Sequence, residues 1–422
     1  MTVSARPSQH APPVDHDAYV SLRLPEYRAF LVSMASVFLA TQIQSAVLGW
    51  QVYALTSDPL ALGLVGLAEA VPFLALTLVG GWAADRADRR ALSFAGLGAV
   101  SASGAWLLVL SLGSPRSALP FYAAQALAGL GRAFFRPASI SLGTELVPRE
   151  HYHNAATWRA SIVQLSMVLG PAVGGGLIAL GGPRLAYGVV LLLSVGGLAT
   201  LAAIAPRPRP AAASGRSLLA GLAEGVRFVF GQQLLLGSMS LDLFAVLFGG
   251  ATALLPIFAR DVLHVDEVGF GILRAAPAAG SVLMSLALAR MGQFRRAGRT
   301  LLYAVGLFGV TWIAFAFSRA FALSLVLLAL GGALDAISVV LRNTLVQTRT
   351  PQEKMGRVSA VSSFFIGSSN ELGAFESGLA ARFMGLVPSV VFGGAMTLVT
   401  VALVALWVPS LRRLGPIAPD RL

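Results

Sequence analysis

Ten ionisable side chains stand inside long apolar stretches of this sequence. The acids are Glu69, Asp242, Asp335, Glu371 and Glu376; the bases are Arg132, Arg136, Arg159, Arg274 and Arg342. Two kinds of chemistry suit such a placement. A carboxyl group remote from any cation in a low-dielectric medium resists ionisation, so it can take up and release a proton near neutral pH. A carboxylate beside a guanidinium instead forms a fixed ion pair that holds two segments together. Spacing sorts the ten between these uses. Asp335 and Arg342, seven apart, share a helix face, as do Arg132 and Arg136, four apart. The first couple reads as a structural pair. Glu69 and Glu371 fall near the middle of their stretches, with no basic residue within a helical turn. They lead the candidates for proton carriers, followed by Glu376, Asp242 and Asp335.

The elements that must position these groups follow from composition. Of 422 residues, 56% are hydrophobic and 12% charged, about half the roughly 25% charged share of an average soluble chain. That is too little charge to cover a soluble surface and too apolar for disorder. Uncharged blocks such as 185–205 and 386–408 are long enough to cross a bilayer core as helices. Read between charge and turn clusters, the chain gives twelve spans: 27–53, 60–84, 91–112, 118–146, 155–180, 184–205, 234–259, 267–289, 300–318, 320–347, 356–382 and 387–409. Residues 1–26 read as a disordered tail without the apolar run of a signal peptide. The linker 206–233 opens on Pro206, Pro208 and Pro210 and continues as an amphipathic helix. Its Leu218, Leu219, Leu222 and Val226 would face the membrane, with Glu224 and Arg227 toward water. The domain reading is therefore a tail (1–26), a six-helix bundle (27–205), a linker (206–233), a second bundle (234–410) and a tail (411–422).

With the N-terminus inside, twenty-one Lys and Arg fall in cytoplasmic segments and five in outer ones. This bias places both termini in the cytoplasm. The net charge of +12 is thus topology, and nucleic acid is not expected as a partner. There is no cysteine, no Gly-rich loop ending in Gly-Lys-Ser/Thr, and no metal-ligand spacing around His151 and His153. No enzyme, metal or cofactor is expected. The halves echo each other: Pro148-Arg149-Glu150 and Pro351-Gln352-Glu353 stand 203 residues apart. Two six-helix repeats about a midplane site suit alternating access.

Between spans 2 and 3 runs Gly81-Trp82-Ala83-Ala84-Asp85-Arg86-Ala87-Asp88-Arg89-Arg90. It resembles the signature of the major facilitator superfamily, with Asp88 where the family usually has Gly. The resemblance implies an all-α membrane protein of two pseudo-symmetric six-helix bundles. It also implies a gating motif of Gly81, Asp85, Arg86, Arg89 and Arg90, with Gly81 allowing close packing and Asp85 latching the halves at the N-terminal end of span 11. Gly170-Pro171-Ala172-Val173-Gly174-Gly175 is similar to the span 5 motif of the superfamily's exporters. There Gly170, Pro171, Gly174 and Gly175 would give tight packing. In span 4, Gln125 is present and Tyr122 occupies the usual Arg position.

Gly131 to Ala138, and Gly367-Ser368-Ser369-Asn370-Glu371-Leu372-Gly373-Ala374-Phe375-Glu376-Ser377-Gly378, resemble the enterobactin-exporter and macrolide-efflux branch. Span 1 lines the cavity in that family, so Gln42 and Ser45 become candidate substrate contacts, along with Arg132, Arg136 and Asn370; interhelical hydrogen bonds are the alternative for the first two. The expected function is proton-coupled export of an amphiphilic siderophore or macrolide-like drug by a monomer in the inner membrane. Its partners would be the lipid bilayer, the proton and a small-molecule substrate. An importer or facilitator of the same fold is the alternative, with a non-transporting receptor behind it.

Overall fold

The computed structural model describes residues 17–206, 218–249, 251–291 and 294–416. The first half comprises α1 (Pro25–Thr56), α2 (Pro59–Arg86), α3 (Arg89–Leu112), α4 (Leu119–Glu145) and α5 (Tyr152–Ala202). At Gly181 and Gly182 the backbone of α5 leaves the helical region, and Gly182 has φ +69°. A residue without Cβ takes that conformation freely, so α5 folds back into two arms, 152–180 and 183–202. After the linker helix α6 (Leu218–Gly231) come α7 (Gln233–Gly249), α8 (Glu267–Arg290), α9 (Ala297–Phe317), α10 (Phe321–Arg349), α11 (Gln352–Met384) and α12 (Leu386–Trp407). Short turns through Val262 extend α7. With the arms of α5 counted separately, twelve rods cross the molecule. An even number of crossings puts both ends of the described chain on one face, called near; the opposite face is far.

Backbone geometry carries the repeat that the sequence hinted at. Pro148 and Pro351 precede α5 and α11 at φ −57° in both cases, with ψ 149° and 144°. Gly182 and Gly385, again 203 apart, are the two glycines of positive φ among the described residues, and each turns the chain at the far face. Ser57 and His264 are left-handed at the matching turns before α2 and α8, where Asp58 and Asp266 cap the helices. Gly129 of α4 abuts the α2 backbone at Glu69, and Gly332 of α10 abuts α8 at Pro277. Such contacts supply cohesion where apolar helices gain nothing by leaving lipid.

Among the described residues, nine helical runs are long and apolar enough to cross a membrane. Helices α4 and α11 fall outside that set, at 27 and 33 residues, because they carry the arginines, acids and serines. Between them they hold Arg132, Arg136, Asn370, Glu371 and Glu376, half of the polar candidates for coupling and substrate contact.

Three boundaries differ from expectation. Residues 18–24 pack on α5: the Ala18 carbonyl accepts from Asn154 (2.7 Å) and Trp158 (3.0 Å), and Tyr19 packs against the Trp158 ring. Residues 18–24 of the predicted tail are therefore part of the first bundle. At the other end Leu411 is fully buried, and the Leu414 carbonyl accepts from Gly298, so the second bundle runs past 410. In the linker, Glu224 pairs with Arg357 at 2.5 Å and Val229 is fully buried against α7, α10 and α11. That side of α6 docks on the second half, with Val226 left exposed. Residues 1–16 and 417–422, and the side chains of Leu218, Leu219 and Leu222, lie outside the described residues.

Candidate functional site

Among the described residues the two halves share one buried core, toward the far face. There Ala46, Tyr53 and Leu62 of the first half join Leu254, Phe258, Phe270 and Phe315 of the second in one buried cluster. The other clusters each belong to one half. Polar ties reinforce this seam. Tyr53 donates to Asp261, Arg382 pairs with Asp58, and Arg274 donates to the Ser45 hydroxyl at 2.9 Å. Trp50 lies against Phe270, with ring centroids 5.1 Å apart. The result is a seam closed at the far face.

The span 5 motif builds the seam. A Cβ at Gly170 would strike Gln42 of α1, and one at Gly174 would touch Ile43 and Ala46. Gly175 faces the other half, where a Cβ would sit 2.9 Å from the Gly271 Cα and would also strike the Glu267 carbonyl. Gln42 is therefore a packing residue against α5, whereas Ser45 and Gly49 reach the second half at Arg274 and Pro256. Gly63 and Gly378 form a second crossing, with 2.8 Å between a Gly378 Cβ and the Gly63 Cα. Gly175→Val is expected to disfavour the far-closed state by about 1–3 kcal/mol, the usual cost of overpacking. The chain has no cysteine, so a single thiol at Leu62 reports this directly. An impermeant maleimide reaching it from the far face should label faster in the Gly175→Val background.

In the first half, Glu69 is not free of cations. Arg132 of α4 forms an ion pair with it, and Gln125 of α4 donates to its other oxygen. Gln44 continues the chain, donating to Gln125 at 3.4 Å and to Ser103 at 3.2 Å. This corrects the reading of Glu69 as an unpaired carboxyl, since its partner comes from another helix. Arg132 also lies 5.6 Å from the Phe73 ring. Gln125, Arg132, Arg136 and Gly143 follow one face of α4, spaced seven, four and seven. Gly143 on that face abuts Phe30 of α1, so Arg136 stands between α1 and α2. It is exposed, with no carboxylate partner among the described residues.

In the second half the expected couple is exchanged. Arg342 pairs with Asp242 of α7, not with Asp335, and both partners are buried, at 3% and 7% exposure. Asp335 has no cation partner among the described residues. It lines a cavity of about 150 Å³ walled by Phe308, Trp312 and Phe315 of α9, Thr252 and Asn370. A small cleft lined by Asp242, Asp335 and Ser338 links that carboxyl to the buried pair. Asn370 donates its amide to the Ile366 carbonyl at 2.9 Å. Glu376, six residues further along α11, is absent from the cavity wall. The aromatic wall on α9 went unread in the sequence, because its rings have the spacing of ordinary packing residues.

The gating motif is placed at the near face. A Cβ on Gly81 would meet nothing, while Gly80 packs on the α4 backbone at Ala133. The close-packing role expected of Gly81 thus belongs, in this conformation, to its neighbour. Arg86 lies 4.8 Å from the Trp82 ring, Arg89 pairs with Glu145, and Arg90 donates to the Ala202 carbonyl at 2.7 Å. Asp88 caps α3, accepting from Arg90 and Ala91, which gives the departure from the family's Gly a local purpose. The side chains of Asp85 and Glu371 lie outside the described residues.

Two bundles related by an internal repeat, closed on each other at one face around polar helices, define a multi-pass membrane transporter fold. The sequence profile of the Major Facilitator Superfamily matches residues 30–374, and the chain belongs to that family. It is 28% identical over 413 residues to the Enterobactin exporter EntS of Shigella boydii serotype 18, covering 94% of this chain and 95% of that relative. The relative of the same name from Escherichia coli O139:H28 gives the same figures. Among solved structures, a bacterial homolog of the human lysosomal transporter Spinster, in an inward-facing and occupied conformation, superimposes with a TM-score of 0.71. It is 14% identical and covers 94% of this chain and 99% of its own. A D-xylose-proton symporter gives 0.69 at 12% identity, covering 94% and 100%. Family membership makes this chain a transport protein, not an enzyme.

Proposed function

We propose that this transporter is a proton-driven exporter of an amphiphilic organic compound, of which enterobactin, the substrate in the relatives' name, is the first to test. The near face is cytoplasmic by its basic residues, so the described conformation is open inward and closed outward. The observation that carries the coupling is the contrast among the buried acids. Glu69 and Asp242 are held by arginines, whereas Asp335 lines a cavity with no cation against it among the described residues.

Asp335 is assigned as the leading coupling residue, with Glu371 and Glu376 of α11 as further candidates, while Glu69 fastens α2 to α4. Substrate enters from the cytoplasm and settles against the aromatic wall. The halves rock, the far seam parts at Gly175 and Gly63, and substrate leaves as Asp335 takes a proton from outside. Closing the seam again returns Asp335 to the cytoplasmic side, where it loses the proton. Arg342 lies two turns from Asp335 on one helix face, so a charge on Asp335 bears directly on the Asp242–Arg342 pair. Gly81 and Asp85 are proposed to meet the N-terminal end of α11 only in the outward-open state, consistent with the open space beside Gly81.

Inside-out vesicles test direction and coupling together. An acidic lumen should drive enterobactin inward from the cytoplasmic face. Accumulation only under the reversed gradient would replace this reading with an importer, and uptake that stops at equal concentrations whatever the gradient would replace it with a facilitator. Charge reversal at the seam tests the outer gate: Arg382→Glu should open it, and adding Asp58→Arg should close it again, read by labelling of the Leu62 thiol.

A further inference from the structure

Arg274, half-buried, presents a different problem from the paired arginines. It is the cation that links the two halves in mid-seam, reaching from α8 to the Ser45 hydroxyl of α1 at 2.9 Å. Its other described contact is the Thr252 carbonyl at 3.5 Å. Both partners are neutral, and no carboxylate pairs with Arg274 among the described residues. A guanidinium offers five N–H donors in a planar fork shaped for an oxyanion, so most of its capacity is unspent. Leaving a cation this way in mid-membrane is costly unless a charge arrives to match it.

The position says where that charge would come from. Thr252 lines the aromatic cavity, so the contact with its carbonyl sets the guanidinium at the cavity's border, facing the first half. Phe308, Trp312 and Phe315 supply flat apolar walls, and the volume of about 150 Å³ suits a single ring. The indole N–H of Trp312 is buried without a hydrogen-bond partner among the described residues, a second donor left waiting for an acceptor. Two unspent donors beside a ring-sized cavity call for an aromatic group that carries anionic oxygen. An ammonium would meet Asp335 but would leave Arg274 and Trp312 unsatisfied and would be repelled by the guanidinium.

We propose that Arg274 is an anion-recognition residue of the substrate site, selecting an aromatic acid or acidic phenol over a cationic amphiphile. The proposal rests on the cavity being the substrate site, but not on export or on proton coupling. Arg274 is thereby distinct from a mere latch, because a latch treats all ligands alike.

Binding to the purified transporter in nanodiscs, followed by calorimetry, tests it with two probes of matched size: 4-hydroxybenzoate and 4-hydroxybenzamide. The acid should bind at least tenfold more tightly than the amide. Arg274→Gln should abolish that preference by weakening the acid alone, and Arg274→Lys should restore part of it. Ser45→Ala, which cuts the tie between the halves but keeps the cation, should preserve the preference. Equal binding of both probes to the wild type would overturn the proposal, as would equal weakening of both by Arg274→Gln. Thermal melts of each variant separate lost folding from lost recognition. Failure of vesicle transport with the charge preference intact would instead count against the export reading.

Discussion

Asp335→Asn is expected to collapse gradient-driven accumulation while leaving substrate exchange at equal pH in place. For one-for-one exchange, a gradient of about two pH units can hold a roughly hundredfold solute gradient, at about 1.4 kcal/mol per tenfold. Without the coupling carboxyl the accumulation ratio should fall to about one. Asn keeps the size and hydrogen-bonding capacity of the side chain, so the cavity wall beside Trp312 and Asn370 is preserved. Counterflow in the same vesicles should therefore continue near the wild-type rate. Glu69→Gln is the informative contrast: it removes a carboxylate already held by Arg132 and Gln125, so it should loosen α2 from α4 and spare the stoichiometry. Persistence of full accumulation in Asp335→Asn would transfer the coupling role to α11.

The second large effect concerns stability. Arg342→Gln leaves Asp242 buried among apolar groups with its cation gone, and breaking such a pair costs about 3–5 kcal/mol. The exposure of Arg342 is 3% and that of Asp242 is 7%, so little solvent screens the loss. A marked drop in the thermal midpoint is expected for the single variant in nanodiscs. The double variant Asp242→Asn with Arg342→Gln should recover most of it, because two neutral amides can satisfy each other without a buried charge. A double variant no better than the single would show that the pair contributes by shape and not by charge.

How far the site could be read in advance depended on the distance over which each signal acts. The repeat was visible as Pro148 and Pro351, and the structure extends it through Gly182 with Gly385 and Gly129 with Gly332. The same offset of 203 sets Arg132 of α4 against Asp335 of α10. In the first half that position holds a cation paired with Glu69, and in the second half an acid whose α8 neighbourhood offers Pro277 instead of a partner. The asymmetry explains why Asp335 stands open to the cavity. It could not be seen from spacing along one helix, which joined Asp335 to Arg342 and left Glu69 alone. Both readings failed for one reason: ion pairs form across helices, between residues far apart in the chain.

By itself the sequence determined the medium, the number of crossings and the inventory of charges inside them, and it set the expectation for the direction of each. Those properties follow from local hydropathy and from the basic residues between spans, quantities that do not depend on which helix packs on which. Only the tertiary structure decided which acids are neutralised, which cations keep unspent donors and at which face the halves meet. These depend on the rotation of each helix about its axis and on glycine contacts such as Gly175 with Gly271. A lipid-facing and a cavity-facing stripe can be equally apolar, so composition carries no record of that rotation.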